Sequence, residues 1–368
     1  MAEKPIRIGL IGAGGNVRNR HIPGFQQVAG LEIAAVANRS LESGRSVADQ
    51  FNISQVYSGW QELLEDDSID AVCIGTWPYM HRTLTLAALE KGKHVLTEAR
   101  MASTAQDARD MLTAAQEHPN LVCQLTPTST TYKIDNLLKK MIADGYLGEV
   151  LSVEVQALQN RFADFGGNLH WRHDWKVSGY NTLNIGASYE SMMRWLGRGN
   201  RVMAMSKVHV PYRTDERGET VSVSIPDHVN ILYELANGAQ VHMRMSATTG
   251  LSTGNQIWIY GTEGTIHIDQ QQNVFAGHRG DSKLTEVPNP AKDQAYYRVE
   301  EQFTNAIRGT EQVDMGNSRT ELRVSRDLQA SSRAINDLSP KTGPESSMNL
   351  LSSSLFVSGR SGSPRRVG

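Results

Sequence analysis

Short apolar runs recur through the first third of the chain, at residues 6–12, 31–37, 69–75, 93–98 and 120–125. Each run is rich in β-branched residues and apolar on both faces, which is typical of a strand covered by helices on both sides. Segments with helical spacing separate the runs, and one of them opens with Thr104 three residues before Asp107, a variant of the capping box. This alternation predicts an α/β fold with a Rossmann-type, doubly wound parallel sheet.

The pattern changes after about residue 150, where apolar and polar residues alternate. Residues 229–235 and 239–247 alternate in this way on either side of "ANG", which predicts a β-hairpin. Residues 255–269 repeat the pattern around a glycine-rich turn. The second part is therefore expected to contain an antiparallel sheet with one face toward solvent, in a separate domain.

The chain of 368 residues is long enough for two ordinary domains. We predict a dinucleotide-binding domain over residues 1–125 and a substrate and oligomerisation domain over residues 126–340. Residues 341–368 are rich in serine and glycine and have little periodicity, so this tail is predicted to be largely disordered.

Composition and charge exclude several classes of partner. The net charge is −2, which gives no electrostatic basis for binding nucleic acid or an anionic membrane. No stretch approaches the roughly 20 apolar residues of a membrane span. Cys73 and Cys123 lie in apolar runs and are interpreted as buried, reduced side chains, which favours a cytoplasmic protein. No metal site is expected, because the pair His170 and His173 would need a converging carboxylate.

A glycine loop follows the first predicted strand. Gly12 and Gly14 stand where a tight turn lets backbone N–H groups approach a pyrophosphate at a helix N-terminus. The third glycine of the usual pattern is Val17, so the following helix must pack differently there. We predict a dinucleotide site that includes Gly12, Gly14, Asn16 and Val17.

The end of the second strand bears on the choice of cofactor. Asn38 occupies the position where an acidic residue would bind the ribose of NAD. Arg39 and Ser40 could bind a 2′-phosphate, which slightly favours NADP over NAD. The alternative is that Arg39 stacks on the adenine of either cofactor.

Four motifs give the chain a family resemblance over residues 6 to about 335: the glycine loop with "HIPGF", "GTWPYMHRTLTLAALEKGKHVLTE", "GYLGEVLSVEV" and "IYGTEGTIHID". They resemble the glucose–fructose oxidoreductase/inositol dehydrogenase (Gfo/Idh/MocA) family. The resemblance implies a Rossmann domain, a C-terminal α/β domain with a large, mostly antiparallel sheet, and NAD(P)-dependent chemistry on sugars or cyclitols. It also implies homodimers or homotetramers formed through that sheet. Thr76, Pro78 and His81 would line the nicotinamide side, with Glu98 at the end of its strand.

The catalytic positions of that family are substituted here. The family has a Glu-Lys-Pro lysine, which would stabilise a developing alkoxide, and an aspartate and a histidine four residues apart, which would handle the hydroxyl proton. In this chain the first motif becomes Glu98-Ala99-Arg100, and the other two positions are Asn184 and Ser188. All three positions have lost their titratable group, so a rearranged catalytic set is expected.

The segment 168–190 offers replacements. His173 is the first choice of general base because an imidazole titrates near neutrality, with Tyr180 and Tyr189 as the other catalytic candidates. The interpretation that competes with a catalytic His173 is a structural pairing with Asp174. Arg172 could hold a substrate oxyanion, and Trp171 could stack on a sugar face. The predicted substrate-binding residues are Arg172, Trp171, Asn184, Ser188 and Arg100, and the predicted cofactor-binding residues are Gly12, Gly14, Asn16, Val17, Asn38, Arg39, Ser40, Thr76, Pro78, His81, Glu98 and Ala99.

Three functions are compatible with these residues. The preferred hypothesis is an NAD(P)-dependent oxidoreductase that acts on a sugar, glycoside or cyclitol through a non-standard catalytic set. The first alternative is an enzyme that oxidises a glycoside transiently, eliminates the aglycone and re-reduces the product. The second is a dinucleotide-binding regulator without catalysis.

Overall fold

The computed structural model describes residues 4–179 and 183–311. These residues form two compact units that are not contiguous in sequence. The first unit comprises residues 4–129, 170–179 and 296–311, and the second comprises 130–169 and 183–295. Tyr180 and the predicted tail at 341–368 lie outside the described residues.

The first unit is built on six strands: β1 (Ile6–Ile11), β2 (Leu31–Ala37), β3 (Gln55–Tyr57), β4 (Ala71–Ile74), β5 (His94–Thr97) and β6 (Cys123–Leu125). All neighbours pair in parallel, in the order β3-β2-β1-β4-β5-β6. The five predicted strands are confirmed, and the additional β3 is too short to produce an apolar run. Strand order reverses between β1 and β4, and in open α/β sheets ligands bind beyond the carboxyl ends of the strands at such a point.

The described residues contain nine α-helices: α1 (Ile22–Gln26), α2 (Leu41–Phe51), α3 (Trp60–Glu65), α4 (Pro78–Glu90), α5 (Ala105–Glu117), α6 (Tyr132–Ala143), α7 (Trp175–Ser178), α8 (Ile185–Leu196) and α9 (Val299–Ile307). Val17–His21 forms a π-helical turn, and Trp171–His173 and Ala291–Asp293 form 3-10 turns. The capping box predicted for α5 is present, with Thr104 and Asp107 each accepting a backbone N–H of the other. None of the helices in the described ranges is long and apolar enough to cross a bilayer.

Apolar side chains cover both faces of the first sheet. On one face Leu10 packs in a cluster with Phe25 and Phe303, and on the other Ile74 packs with Leu84. The strands are therefore apolar on both faces because helices cover both sides of the sheet, as the sequence predicted. Phe303 belongs to α9, so a helix from far along the chain completes the core of the first unit.

The second unit contains the strands β7 (Val150–Leu158), β8 (Gly199–Lys207), β9 (Tyr212–Thr214), β10 (Thr220–Ser222), β11 (His228–Leu235), β12 (Gln240–Ser246), β13 (Gln256–Gly261), β14 (Gly264–Ile268), β15 (Val274–His278) and β16 (Thr285–Glu286). Strands β9 and β10 pair separately, and the other eight form one sheet in the order β16-β15-β14-β13-β7-β12-β11-β8. Within it β7 and β12 are parallel and the remaining pairs are antiparallel. Both predicted hairpins, β11–β12 and β13–β14, are confirmed.

Candidate active site

The glycine loop lies where β1 and β4 end. Gly12 has a φ of +82°, and a Cβ there would lie 2.6 Å from Thr76 Cγ2 and 2.9 Å from the Thr76 backbone nitrogen. Only glycine fits this close approach and this left-handed backbone. A Cβ on Gly14 or Gly15 would meet nothing within 4 Å, so the backbone of the loop faces open space.

Val17 occupies the third-glycine position without opening a gap. Its side chain is 1% exposed and packs against Gly75, where a Cβ would lie 2.1 Å from Val17 Cγ2. The close approach between helix and strand that a third glycine usually allows is provided here by Gly75, at the end of the neighbouring strand.

Asn38 and Ser40 make bonds within the loop region. Asn38 Oδ1 accepts the Ala13 N–H at 2.7 Å, and Asn38 Nδ2 donates to the Ser43 carbonyl at 3.2 Å. Ser40 caps α2, with its Oγ accepting the Ser43 N–H at 3.2 Å. Asn38 therefore fixes the glycine loop from the position expected for the ribose-binding residue, and the neighbouring Arg39 is exposed.

A dinucleotide fits these residues. The Thr76 hydroxyl is buried beside Gly12 and has no hydrogen-bond partner among the described residues. The open space at Gly14 and Gly15 is what a pyrophosphate requires of a glycine loop. Pro78 begins α4, where its missing N–H costs no hydrogen bond.

His81 is fully buried, and its position on the nicotinamide side stays a prediction. Its Nε2 lies 3.0 Å from the Thr76 carbonyl oxygen and its Nδ1 lies 2.9 Å from the Arg100 carbonyl oxygen. Burial lowers the pKa of His81. The ring therefore lies between the two segments that carry Thr76 and Arg100, and in its neutral form it can donate to one of the two carbonyl oxygens.

A buried charge network lies next to Ala99. His21 Nε2 is 2.6 Å from Glu98 Oε1, and His21 Nδ1 is 2.5 Å from Glu300 Oε1. Burial by itself lowers the pKa of His21, but the hydrogen bonds and charges of Glu300 and Glu98 raise it to about 9. Asn16 also donates a hydrogen bond to Glu98. Asn16 and Glu98, both predicted to bind cofactor, thus bind each other and join the first helical turn to the end of β5.

The loop after β5, residues 98–103, approaches the segment 170–179 within the first unit. Gly179 has a φ of +63°, and a Cβ there would lie 2.3 Å from the Ser103 carbonyl oxygen. Trp171 stacks on Trp77, with ring centroids 6.1 Å apart and planes inclined at 19°. These contacts join the segment 170–179 to the loop that precedes α4 and to the loop that precedes α5.

In the segment 170–179, hydrogen bonds from backbone N–H groups fix the tautomers of two histidines. His173 Nδ1 accepts the His170 N–H at 3.1 Å, and His170 Nδ1 accepts the Arg172 N–H at 3.2 Å. In the neutral rings the proton is therefore on Nε2, which makes that atom a hydrogen-bond donor. This geometry favours His173 as a donor to a substrate oxygen over the predicted role of base, which needs an unprotonated nitrogen.

The remaining predicted residues belong to the second unit. Asn184 precedes α8 and is exposed, and Ser188 lies one turn later with its N–H donating to the Asn184 carbonyl at 3.0 Å. Tyr189 is 5% exposed, packs edge-on to Tyr233 and accepts the Gly199 N–H at 3.1 Å. These contacts give Tyr189 a structural role, and its catalytic role stays a prediction.

A second buried network holds α8. Arg194 Nε lies 2.7 Å from Asp135 Oδ2, and its Nη1 lies 2.6 Å from Glu190 Oε1. Trp195 Nε1 donates to Asp135 Oδ1 at 2.7 Å. Sequence reasoning missed this network and the one at His21, although the spacing of four residues between Glu190 and Arg194 was a usable signal.

Two family models match consecutive parts of the chain. A model described as "Oxidoreductase family, NAD-binding Rossmann fold" matches residues 6–125, and a GFO/IDH/MocA C-terminal domain model matches residues 136–267. Levoglucosan dehydrogenase of Pseudarthrobacter phenanthrenivorans is 27% identical over 67% of this chain and 69% of that protein. The 1,5-anhydro-D-fructose reductase of Ensifer adhaerens is 32% identical over 40% of this chain and 44% of that protein.

Solved structures show the same fold. An oxidoreductase domain protein from Kribbella flavida superposes with a TM-score of 0.77 at 22% identity, over 91% of this chain and 98% of the other. Levoglucosan dehydrogenase in complex with NADH and L-sorbose gives a TM-score of 0.74 at 22% identity, over 90% of this chain and 97% of the other.

The fold and the glycine loop define an NAD-binding oxidoreductase of the Rossmann type. The chain belongs to the Gfo/Idh/MocA oxidoreductase family, as the sequence motifs predicted.

Among residues 4–179 and 183–311, no group of three or more histidine, cysteine, aspartate or glutamate side chains is arranged to hold a metal ion.

Proposed function

We propose that this protein oxidises a hydroxyl group or reduces a ketone of a sugar, glycoside or cyclitol, with a catalytic set that differs from that of its family. The observation that carries the proposal is the glycine loop at the β1–β4 switch point, with open space at Gly14 and Gly15, in the same unit as the segments 98–100 and 170–179. Relatives with sugar-derived substrates in their names support the substrate class.

Side chains of the first unit can serve this chemistry. A bound nicotinamide supplies or accepts the hydride. The Nε2–H of His173 and the guanidinium of Arg172 stabilise negative charge on the substrate oxygen, and the Trp171 ring packs on an apolar sugar face. Tyr180 stays a catalytic candidate on sequence grounds alone.

The test is to mix purified protein with NAD(H) or NADP(H) and a panel of pyranosides and cyclitols, and to follow the absorbance of reduced nicotinamide. A substrate-dependent change is expected, and a His173→Gln variant should lower kcat about 100-fold. Bound cofactor without a net change, together with a released aglycone, would indicate the redox-cycling glycosidase. Bound cofactor with no product from any substrate would contradict catalysis.

We also propose a preference for NADP over NAD. Residues 38–40 contain no carboxylate to repel a 2′-phosphate, and Arg39 is an exposed cation beside them. Arg39→Ala should raise the Kd of NADPH about 10-fold and leave that of NADH nearly unchanged. Equal losses for both cofactors would instead indicate stacking on adenine.

The protein is further proposed to be a cytoplasmic homodimer or homotetramer. Met203 and Met205 of β8 and Leu232 of β11 are exposed on adjacent strands of the large sheet. Leu232→Glu should lower the molar mass measured by light scattering if this face joins subunits, whereas an unchanged molar mass would exclude this interface.

The proposed cytoplasmic location is supported by the free cysteines Cys73 and Cys123, which suit a reducing compartment.

A further inference from the structure

We propose that Glu300 of α9 is a positioning residue for the cofactor, which acts through His21 and Glu98 on Asn16 of the glycine loop. The inference goes beyond the proposed function, because it gives a role in cofactor binding to a helix that lies outside the residues matched by either family model. It does not depend on which substrate the protein takes.

A continuous series of hydrogen bonds joins α9 to the glycine loop. Glu300 Oε1 lies 2.5 Å from His21 Nδ1, and Glu98 Oε1 lies 2.6 Å from His21 Nε2. Glu98 Oε1 also accepts a hydrogen bond from Asn16 Nδ2. His21, Glu98 and Glu300 are all buried, and charge-assisted hydrogen bonds are strong in such surroundings. A change at Glu300 is therefore felt at Asn16.

The sequence of α1 makes room for the Glu300 side chain. Gly24 follows His21 by three residues, so the two lie on the same side of the helical segment. A Cβ at Gly24 would lie 2.7 Å from Glu300 Cδ and 2.8 Å from Glu300 Oε2. Any larger residue at this position would displace the carboxylate that binds His21. The motif "HIPGF" thus provides both the imidazole and the space for one buried carboxylate.

The glycine loop is held by a side chain on each side of its open segment 14–15. Before this segment, the Ala13 N–H donates to Asn38 Oδ1 at 2.7 Å. After it, Asn16 donates to Glu98. Between these two bonds the backbone faces open space, where a pyrophosphate would bind. Holding both ends orients the backbone N–H groups before the cofactor arrives, and such preorganisation increases affinity.

The geometry requires a charged imidazole at the centre of this network. Both ring nitrogens of His21 face a carboxylate, whereas a neutral imidazole carries only one N–H. Only the imidazolium can donate to Glu98 and to Glu300 at the same time. Burial by itself lowers the pKa of His21, but the hydrogen bonds and charges of the two carboxylates raise it to about 9.

The neighbouring titratable groups keep one form between about pH 7 and about pH 9. Burial, and then the charges of Glu98 and Glu300, raise the pKa of Cys73 on β4, which stays a thiol. Burial lowers the pKa of His81 on α4, which stays neutral. When His21 loses its proton, the network gains a negative charge and one carboxylate loses its donor. The loop is then held less firmly, beside more negative charge, and an anionic pyrophosphate binds it more weakly.

The first test measures the Kd of NADH with the full-length protein between about pH 7 and about pH 10, by NADH fluorescence and by calorimetry. The Kd should stay constant to about pH 8 and rise about 5-fold by about pH 10, as His21 loses its proton. Circular dichroism at each pH confirms that the protein is folded. A Kd that does not change over this range would overturn the inference, and this measurement needs no variant.

Variants of α9 separate positioning from stability. Glu300→Gln should raise the Kd of NADH at about pH 7 about 10-fold. It should also move the pH-dependent loss of affinity to lower pH, because it removes a carboxylate that raises the pKa of His21. A change in stability alone would not move this profile. Glu301→Gln removes the same charge one residue further on, from a partly exposed ion pair with Arg298, and should change neither quantity.

Two further variants test the path of the effect. Gly24→Ala should reproduce the effect of Glu300→Gln, because the added methyl group displaces the same carboxylate. Asn16→Ala should raise the Kd of NADH, and adding Glu300→Gln to it should raise the Kd no further, since both changes act through one hydrogen bond. Additive changes in binding free energy would show that Glu300 acts by another route, which would overturn the inference.

The outcomes also distinguish this inference from the proposed function. No hydride transfer with any sugar would overturn the proposed function, while the effects of Glu300 and His21 on the Kd of NADH would still support the inference. Hydride transfer to or from a sugar, with a natural Kd and pH profile in both Glu300→Gln and Gly24→Ala, would overturn the inference alone.

Discussion

Each unit of the protein contains one buried charge network, and the two networks differ in the group at their centre. In the first unit His21 lies between Glu98 and Glu300, and all three residues are buried. In the second unit Arg194 lies between Asp135 and Glu190, and its side chain is 1% exposed.

The central residue of each network decides whether the network responds to pH. A guanidinium keeps its charge over the whole pH range in which proteins fold, whereas an imidazolium loses its charge near or above neutrality. The network that contains Glu98 therefore depends on pH through its central imidazole, whereas the centre of the network that holds α8 is a permanent cation.

Removing the central cation of the second unit should have the largest effect. Arg194→Met leaves Asp135 and Glu190 buried without their counter-charge, which costs about 3–5 kcal/mol of the free energy of unfolding. Urea unfolding followed by tryptophan fluorescence measures this loss, because Trp195 bonds to Asp135 in the same network. A loss below about 1 kcal/mol would contradict the central role of Arg194.

His21→Gln should destabilise the first unit by about 3 kcal/mol at neutral pH, which is the free energy of raising a pKa from 6.5 to about 9. The glutamine keeps a donor for one carboxylate but carries no charge. Circular dichroism in urea gives the change, and the two units need not unfold together, so each transition is fitted separately. Glu300→Gln is the matched variant and should reproduce part of the loss.

The stability contributed by His21 should fall as pH rises. The folded-state pKa is raised above the unfolded value, so the contribution is complete below pH 6.5 and is lost progressively up to about pH 9. Unfolding free energies across this window should decline by about 3 kcal/mol more in the natural protein than in His21→Gln. Parallel curves for the two proteins would show that His21 does not titrate in this range.

The smallest effect is expected for an exposed pair. Lys140 and Asp144 form an ion pair at the end of α6, with side chains 73% and 60% exposed. Lys140→Gln should change the free energy of unfolding by less than about 0.5 kcal/mol, because water screens the pair. A loss as large as that of Arg194→Met would mean that burial is not what makes the ion pairs of Arg194 stronger than the exposed pair.

Much of the fold and part of the site could be predicted from local sequence. The runs around Leu10 and Ile74 are apolar on both faces, and this pattern alone specifies strands covered on both sides. Gly12 was recognisable because a tight turn with positive φ excludes other residues. The tautomer of His173 was not predictable, because it depends on a backbone N–H that only the 3-10 turn presents.

The parallel sheet, the glycine loop and the capping box of α5 follow from the local sequence, since each depends on neighbours a few residues away. The fold alone decided that Gly75 makes room for Val17, and that α9 returns to the first unit. It also decided that His21 meets Glu300, which is 279 residues away. Such pairings follow from the packing of distant elements. The periodicity of apolar and polar residues along the chain does not indicate which distant side chains will be in contact.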